Sequence, residues 1–222
     1  MRPTFEIERR LREERGARWV IGVDEVGVAP YAGPLVAGAV AFVRKVDWAG
    51  LVDDSKRLTP ARRERVAALV RRDAVWAVGV ATVAEIDERG LTRAKVLAMR
   101  RAYRACLAQL PPGTVGAIVD DERLAAHAPV NEPAVYLNHG DGVSLSVAAA
   151  SVVAKVARDA YMRGLAAIYP HYDFERNYGY GTPRHEAALR ERGPTPDHRR
   201  RFRPVRHLTE AWLASMDPGE HV

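Results

Sequence analysis

Short apolar runs alternate with charged and turn-forming segments along this chain. Four of the runs predict buried strands, because they are brief and rich in Val, Ile and Ala. They cover residues 18–24, 34–43, 74–83 and 115–120. Helical patterns are predicted for residues 4–17, 60–72, 92–110, 144–168, 183–191 and 207–216. Three strands come first and helices then alternate with short strands, an order that favours a mixed α/β sheet with helices on both faces.

Local signals support two of these helices. Thr59 can cap a helix whose first residue is Pro60, since proline lacks the N–H that the first turn leaves unpaired. The helix at 144–168 carries the small residues Ala148 to Ser151, which allow a helix to sit close to a sheet. No repeat or clear linker is visible. We expect a main domain at 1–192 and a basic, helical extension at 193–222 that packs on it.

The composition is that of a folded protein that does not enter membranes. The chain has 222 residues, 47% of them hydrophobic, and one cysteine, Cys106, so an internal disulfide is excluded and a reducing compartment is favoured. The longest apolar run, Pro34 to Val43, is too short to cross a bilayer, and the N-terminal residues lack the apolar segment of a signal peptide. A cytoplasmic monomer is expected.

The charge favours a polyanionic partner without establishing one. The net charge is +6, and the segment HRRRFRPVRH, from His198 to His207, packs five arginines around one aromatic residue. This strip is either a solvated tail or a phosphate-binding surface, because the guanidinium group matches phosphate geometry with paired donors.

Carboxylates follow the predicted strands at the points where these end. Asp24 and Glu25 close the first strand, Asp120 with Asp121 beside it closes another, and Asp141 precedes the long helix. If the two strands are neighbours, these acids converge, and a set of oxygen ligands selects hard cations such as Mg²⁺ or Mn²⁺. The alternative is that each acid is only a helix cap or a turn residue.

Asp24 and Glu25 raise a geometrical question. Adjacent strand residues point to opposite faces, so both can line one site only if the strand ends between them. The turn GVAP that follows is expected to provide this ending. Two cations about 4 Å apart at such a site can clamp a scissile phosphate.

Four long motifs resemble, in order, those of the type 2 ribonucleases H, ribonuclease HII. They are GVDEVGVAPYAGPLVAGAV, DDSKRLTPARRERV, GDGVSLSVAAASVVAKVARDAYM and YPHYDFERNYGYGTPRHEAALRERGPTPDHRRRFRPV. The resemblance covers roughly residues 18–206. It implies a ribonuclease H-like fold with a mixed five-stranded sheet, and metal-dependent cleavage of the RNA strand of RNA–DNA hybrids. It also implies incision at ribonucleotides in duplex DNA, and products with 5′-phosphate and 3′-hydroxyl ends.

The resemblance also assigns roles to residues. It implies that the acids Asp24, Glu25, Asp120 and Asp141 are catalytic and bind two ions, Mg²⁺ or Mn²⁺. Lys56 matches a phosphate contact, Tyr180 matches the tyrosine that packs on the sugar beside the cut, and Asp159 is interpreted as structural. The full set of implied substrate-binding residues is Gly27, Val28, Ala29, Lys56, Ser146, Tyr180, His198 and Arg199.

The chain departs from the family where the sugar is recognised. The family usually has Gly-Arg-Gly after the first acids, and this chain has Gly27-Val28-Ala29. Asp121, Tyr178 and Arg201 stand where glycine, lysine and serine are usual. We therefore expect weakened incision at a single ribonucleotide. Two alternatives are a hybrid-binding protein that cuts poorly and a metal phosphohydrolase acting on small esters; the four acids oppose the first, and the basic strip opposes the second.

Overall fold

The strands of the chain form one mixed sheet. The computed structural model describes residues 2–127, 129–130 and 133–216. The strands are β1 Trp19–Val26, β2 Leu35–Ala41, β3 Val75–Ala81, β4 Val115–Asp120 and β5 Ala134–Leu137. Their order in the sheet is β3-β2-β1-β4-β5, with β1, β2 and β3 antiparallel and with β4 parallel to both β1 and β5. The predicted mixed five-stranded sheet is confirmed.

Helices cover both faces of this sheet and extend beyond it. They are α1 Glu6–Arg15, α2 Pro60–Asp73, α3 Val83–Arg89, α4 Leu91–Leu107, α5 Leu145–Ile168, α6 Phe174–Asn177, α7 Pro183–Arg192 and α8 Arg203–Met216. Thr59 caps α2 as predicted, accepting a hydrogen bond from the backbone N–H of Arg62. Helices α3 and α6 and strand β5 were not predicted from the sequence.

The small residues of α5 bring its backbone against β1 and β2. A methyl group on Gly22 would lie 2.3 Å from the carbonyl carbon of Ser146, and one on Gly38 would lie 2.1 Å from the carbonyl oxygen of Ala150. Both contacts are shorter than real side-chain contacts, so glycine is required on the strand side. The close packing expected from the small residues of this helix is confirmed. Helix α4 covers the other face of the sheet.

The segment after Gly193 is joined to the turn between β1 and β2. Ala32 pairs with His198 in an isolated bridge, and the backbone N–H of Gly33 donates to the carbonyl of Asp197 at 2.8 Å. Trp212 of α8 covers Gly193. The last six residues of the predicted extension, 217–222, lie outside the described residues. Among the residues described, no helix has the length and apolar character needed to cross a membrane.

Candidate active site

Three carboxylates meet where β1 and β4 approach each other. The strands run parallel, with Val23 opposite Val119, so their carboxyl ends lie at the same edge of the sheet. Asp24 and Asp120 lie at this edge, and Asp141 lies in the short 3₁₀ turn before α5. One ligand atom from each of the three lies within 4.8 Å of the others. Because all three donors are carboxylate oxygens, the set fits a hard divalent cation.

Glu25 lies on the opposite face of β1 from Asp24. The strand does not end between them: Asp24 pairs with Gly38, Glu25 with Ala37, and β1 runs on to Val26. The expectation that the strand ends after Asp24 is therefore wrong, because pairing with β2 keeps the backbone extended. Glu25 still lines the same cleft.

The electrostatics of the cleft favour a bound cation. Burial raises the pKa of Asp24 well above its ordinary value, and the charges of Glu25 and Asp120 add to the shift. Burial also raises the pKa of Asp141, with neighbouring carboxylates contributing. The pKa of Glu25 is raised to about 7 by burial, although Lys95 opposes the change. Burial and mutual repulsion thus both disfavour the ionised carboxylates at this edge, and a bound cation would relieve both effects.

The position of Asp141 is fixed by the N-terminal segment. The backbone N–H of Thr4 donates to the carbonyl of Val143 at 3.0 Å, and the N–H of Leu145 donates to the carbonyl of Thr4 at 2.9 Å. These bonds hold both ends of the junction between the Asp141 turn and α5. The segment before α1 therefore holds the turn that carries Asp141 in place.

Ser146 lies under this junction and not in the cleft. It is 1% exposed, and its hydroxyl donates to Oε1 of buried Glu8 at 2.7 Å, the same oxygen that accepts from Ser144 Oγ at 2.8 Å. Ser146 was expected to bind substrate. The structure corrects this role: the residue anchors α1 to the start of α5.

Lys56 and Tyr180 do line the cleft, as expected for substrate contacts. Partial burial lowers the pKa of Lys56, but the charges of Asp141 and other carboxylates outweigh it, so the pKa is raised and the side chain remains cationic. Tyr180 is 48% exposed, which leaves its ring accessible. Lys155, which the sequence analysis did not select, also lines the cleft and pairs with buried Asp159.

The turn after β1 has one position that requires glycine. Gly27 has φ +93°, and a methyl group there would lie 2.4 Å from Nε of Arg158. Val28 and Ala29 have no positive φ, so Ala29 introduces no backbone strain. The side chain of Val28 packs against the apolar core on the α4 face. This turn therefore offers an apolar side chain where the family usually has arginine.

Arg199 stabilises this turn from beneath. Its side chain is fully buried, and its guanidinium donates to the carbonyls of Val28 at 2.8 Å, Gly27 at 2.5 Å and Gly33 at 2.9 Å. Arg199 was expected to contact nucleic acid, and its burial corrects this expectation. Arg199 acts on the turn, and only the turn faces the cleft.

His198 is buried beside Arg199. It was also expected to contact the substrate, and its burial corrects this expectation. Its Nε2 lies 2.9 Å from Nε2 of His185, and its Nδ1 lies 2.9 Å from the Thr195 backbone nitrogen. Burial, with a contribution from His185, lowers the pKa of His198 to about 3. The ring is neutral at physiological pH and inaccessible, so it cannot neutralise a phosphate.

The rest of the arginine strip lies outside the cleft among the described residues. Its members are Arg200, Arg201, Arg203 and Arg206. Arg201 donates to the carbonyl of Asp87 at 2.8 Å, and Arg206 lies 3.9 Å from Glu210. The strip is exposed, but three of its guanidinium groups, those of Arg201, Arg203 and Arg206, already have partners within the chain.

A chain of alternating charges, not predicted from the sequence, borders the carboxylate cleft. Lys95 of α4 lies 2.5 Å from Oε1 of Glu25 and 2.8 Å from Oδ2 of Asp121, and Asp121 in turn pairs with Arg123 at 2.7 Å. A signal was available: Lys95 is flanked by Ala94 and Val96 on the buried face of α4, where an apolar residue is usual. Its partners lie in β1 and directly after β4, however, and only the fold identifies them.

A second, larger cleft lies at the opposite end of β1. Its volume is about 830 Å³, against about 400 Å³ for the carboxylate cleft. It is lined by basic and aromatic side chains, among them Arg12, Arg18, Trp19 and Lys45, with Glu6 as its one acid. Without converging carboxylates it has no metal-binding chemistry, so its size does not make it the active site.

Known proteins resemble this chain in sequence and in fold. The family model described as Ribonuclease HII matches residues 21–205. The chain is 49% identical to ribonuclease HII of Rhodospirillum rubrum over 222 residues, covering 98% of this chain and 95% of the relative. It is 48% identical to that of Halorhodospira halophila over 199 residues, covering 89% and 98%. The crystal structure of ribonuclease H2 from Pyrococcus horikoshii superposes with a TM-score of 0.72 at 27% identity, covering 88% of this chain and 99% of that one.

Proposed function

Because the chain belongs to the ribonuclease HII family, we propose that Asp24, Asp120 and Asp141 are the metal ligands and catalytic acids of a ribonuclease H, with Glu25 as the fourth acid. The protein is a metal-dependent endonuclease that cleaves the RNA strand of RNA–DNA hybrids. One observation carries the assignment of residues: ligand atoms of three acids from separate parts of the chain lie within 4.8 Å of one another.

The proposed cations are Mg²⁺ or Mn²⁺. When bound, they activate the attacking water and stabilise the charge on the leaving 3′-oxygen. The protein supplies the rest of the chemistry: Asp24, Asp120 and Asp141 fix the ligand geometry, Lys56 contributes a positive charge toward a phosphate, and Tyr180 offers an exposed ring to the sugar beside the cut.

The products are proposed to carry 5′-phosphate and 3′-hydroxyl ends. Water attacks phosphorus, the bond to the 3′-oxygen breaks, and the 2′-hydroxyl takes no covalent part. We therefore expect RNA fragments whose 3′ ends a polymerase extends directly and whose 5′ ends a ligase joins without prior phosphorylation. A 2′,3′-cyclic phosphate would mean that the 2′-oxygen is the nucleophile and would contradict the mechanism.

The second proposed substrate class is duplex DNA that contains ribonucleotides, with weak incision at a single one. In a long hybrid, many registers present a 2′-hydroxyl at the cut, so imprecise recognition still gives product. A lone ribonucleotide offers one register. Val28 is packed on the core and carries no donor, so the turn cannot make the side-chain hydrogen bond that arginine would.

We predict that kcat/KM on a one-ribonucleotide duplex, relative to an all-RNA hybrid, is about ten- to a hundredfold lower in the wild type than in Val28→Arg with Ala29→Gly, because one or two polar contacts contribute roughly 1–3 kcal/mol. The variant Ala29→Gly alone is the control, and it should change little because Ala29 has an ordinary φ. Equal ratios in the wild type and the double variant would show that the backbone of the turn does the recognition.

The competing function is a hybrid-binding protein that cuts poorly, which the altered turn favours. The four acids oppose it, because a binder gains nothing from carboxylates whose pKa values are raised by burial and by their mutual repulsion. Binding of intact hybrid without cleavage in either cation would establish this alternative.

A further inference from the structure

The side chain of Lys95 connects the metal site to a buried charge network. Its ammonium lies 2.5 Å from Glu25 and 2.8 Å from Asp121, and the side chains of all three are only 10–11% exposed. Lysine is rarely buried unless it is paired. This ion pair occupies one oxygen of Glu25, which the proposed function assigns to the catalytic acids.

Asp121 holds Lys95 in this position. It adopts φ +81°, and its backbone N–H donates to the carbonyl of Leu137 at 2.7 Å. Its two carboxylate oxygens accept from Nε and Nη2 of Arg123 at 2.7 and 2.8 Å. Lys95 therefore pairs with two carboxylates at once, and withdrawing its ammonium from the cleft would break both ion pairs.

The acids on the two faces of β1 therefore have different neighbours. Asp24 faces α5 and joins Asp120 and Asp141, whereas Glu25 faces α4 and meets a fixed cation of the protein. Among the described residues no cation forms a direct ion pair with the three aspartates, although Lys56 interacts with them electrostatically. A divalent ion that binds Glu25 must share it with Lys95 and is repelled by the ammonium.

We propose that Lys95 is a positioning residue that reserves Glu25 and thereby makes the cation site at Glu25 much weaker than the site at Asp24, Asp120 and Asp141. This inference rests on the proposed function and extends it to the stoichiometry of metal binding. The enzyme then binds one cation tightly on its own, and the second joins at higher concentration or with the substrate phosphate.

The test is a Mn²⁺ titration of the metal-free protein without nucleic acid, with free Mn²⁺ followed by electron paramagnetic resonance. We expect one tight and one weak equivalent in the wild type. In Lys95→Met, the weak equivalent should tighten about tenfold, within the usual range of coupling between neighbouring sites. Arg93→Met is the matched control: it removes a cation from the exposed face of the same helix and should leave both equivalents unchanged.

A second variant covers the case in which Lys95→Met does not fold. Lys95→Met with Asp121→Gly removes both charges of the inner pair, and glycine suits the positive φ at residue 121; it should tighten the weak equivalent in the same way. Unchanged isotherms in folded variants overturn the role of Lys95 and leave the proposed function standing. A wild type that binds no Mn²⁺ overturns the metal site itself, and the inference with it.

Discussion

Asp24→Asn is expected to lose hybrid cleavage by roughly a thousandfold or more while remaining folded. A cation at this site contributes several kcal/mol of transition-state stabilisation, and each 1.36 kcal/mol is tenfold in rate. Asp24 is one of the three acids whose ligand atoms lie within 4.8 Å. The amide keeps the shape of the side chain but removes the charge that holds the cation.

The same variant should melt at a higher temperature in metal-free buffer at neutral pH. The folded-state pKa of Asp24 is raised, so its ionised form destabilises the folded protein at any pH above the unfolded value of about 3.9. Removing this destabilisation should raise the melting temperature by about 2–4 °C for each kcal/mol gained. Added Mg²⁺ should stabilise the wild type more than the variant.

Glu175→Gln provides the control, since it neutralises an exposed carboxylate outside the cleft. It should change neither the cleavage rate nor the response of the melting temperature to Mg²⁺. A fully active Asp24→Asn protein would remove Asp24 from the mechanism. A variant that is inactive but less stable without metal would instead mean that Asp24 holds the fold.

Arg199→Met is expected to lower the free energy of unfolding by about 3–5 kcal/mol, because several buried carbonyls lose their donor and each unsatisfied group costs about 1–3 kcal/mol. The guanidinium is buried and donates to the carbonyls of Gly27, Val28 and Gly33, which methionine leaves without donors. At about 2–4 °C per kcal/mol, the melting temperature should fall by roughly 6–20 °C.

The comparison with Arg200→Met isolates the effect of burial. Arg200 is the next residue and is exposed, so its substitution should change the free energy of unfolding by less than about 0.5 kcal/mol. If Arg199→Met melts like the wild type, the turn does not depend on this guanidinium. Arg199 would then be free to serve as the substrate contact that the sequence suggested.

Local sequence patterns predicted the limits of an element where the signal lies within that element. Strand β4, Val115–Asp120, has the predicted limits, and α2 begins at Pro60 after the predicted Thr59 cap. Helix α3 was missed although its capping box, Thr82 with Glu85, is visible in the sequence. Strand β1 runs two residues beyond its predicted end because β2 pairs with Glu25 and Val26, a contact that no local pattern reports.

The roles of buried polar residues were beyond sequence reasoning for a physical reason. The family resemblance implied that Ser146, His198 and Arg199 are substrate contacts, and serine and arginine are indeed usually exposed. Each is instead buried against a partner distant in sequence or across a turn: Glu8 lies 138 residues from Ser146, and Gly27 lies 172 residues from Arg199. The acids were easier to find, because strand ends bring them to one edge whatever covers the sheet.

The most direct test of the central assignment uses one hybrid duplex with different labels on its RNA and DNA strands. The purified protein is incubated with it in Mg²⁺, in Mn²⁺ and in chelator, and both strands are resolved on a denaturing gel. We predict internal cleavage of the RNA strand with either cation, an intact DNA strand, and no cleavage in chelator. Hybrid that is bound but uncut with both cations, or RNA that is cut in chelator, would contradict a metal-dependent ribonuclease H.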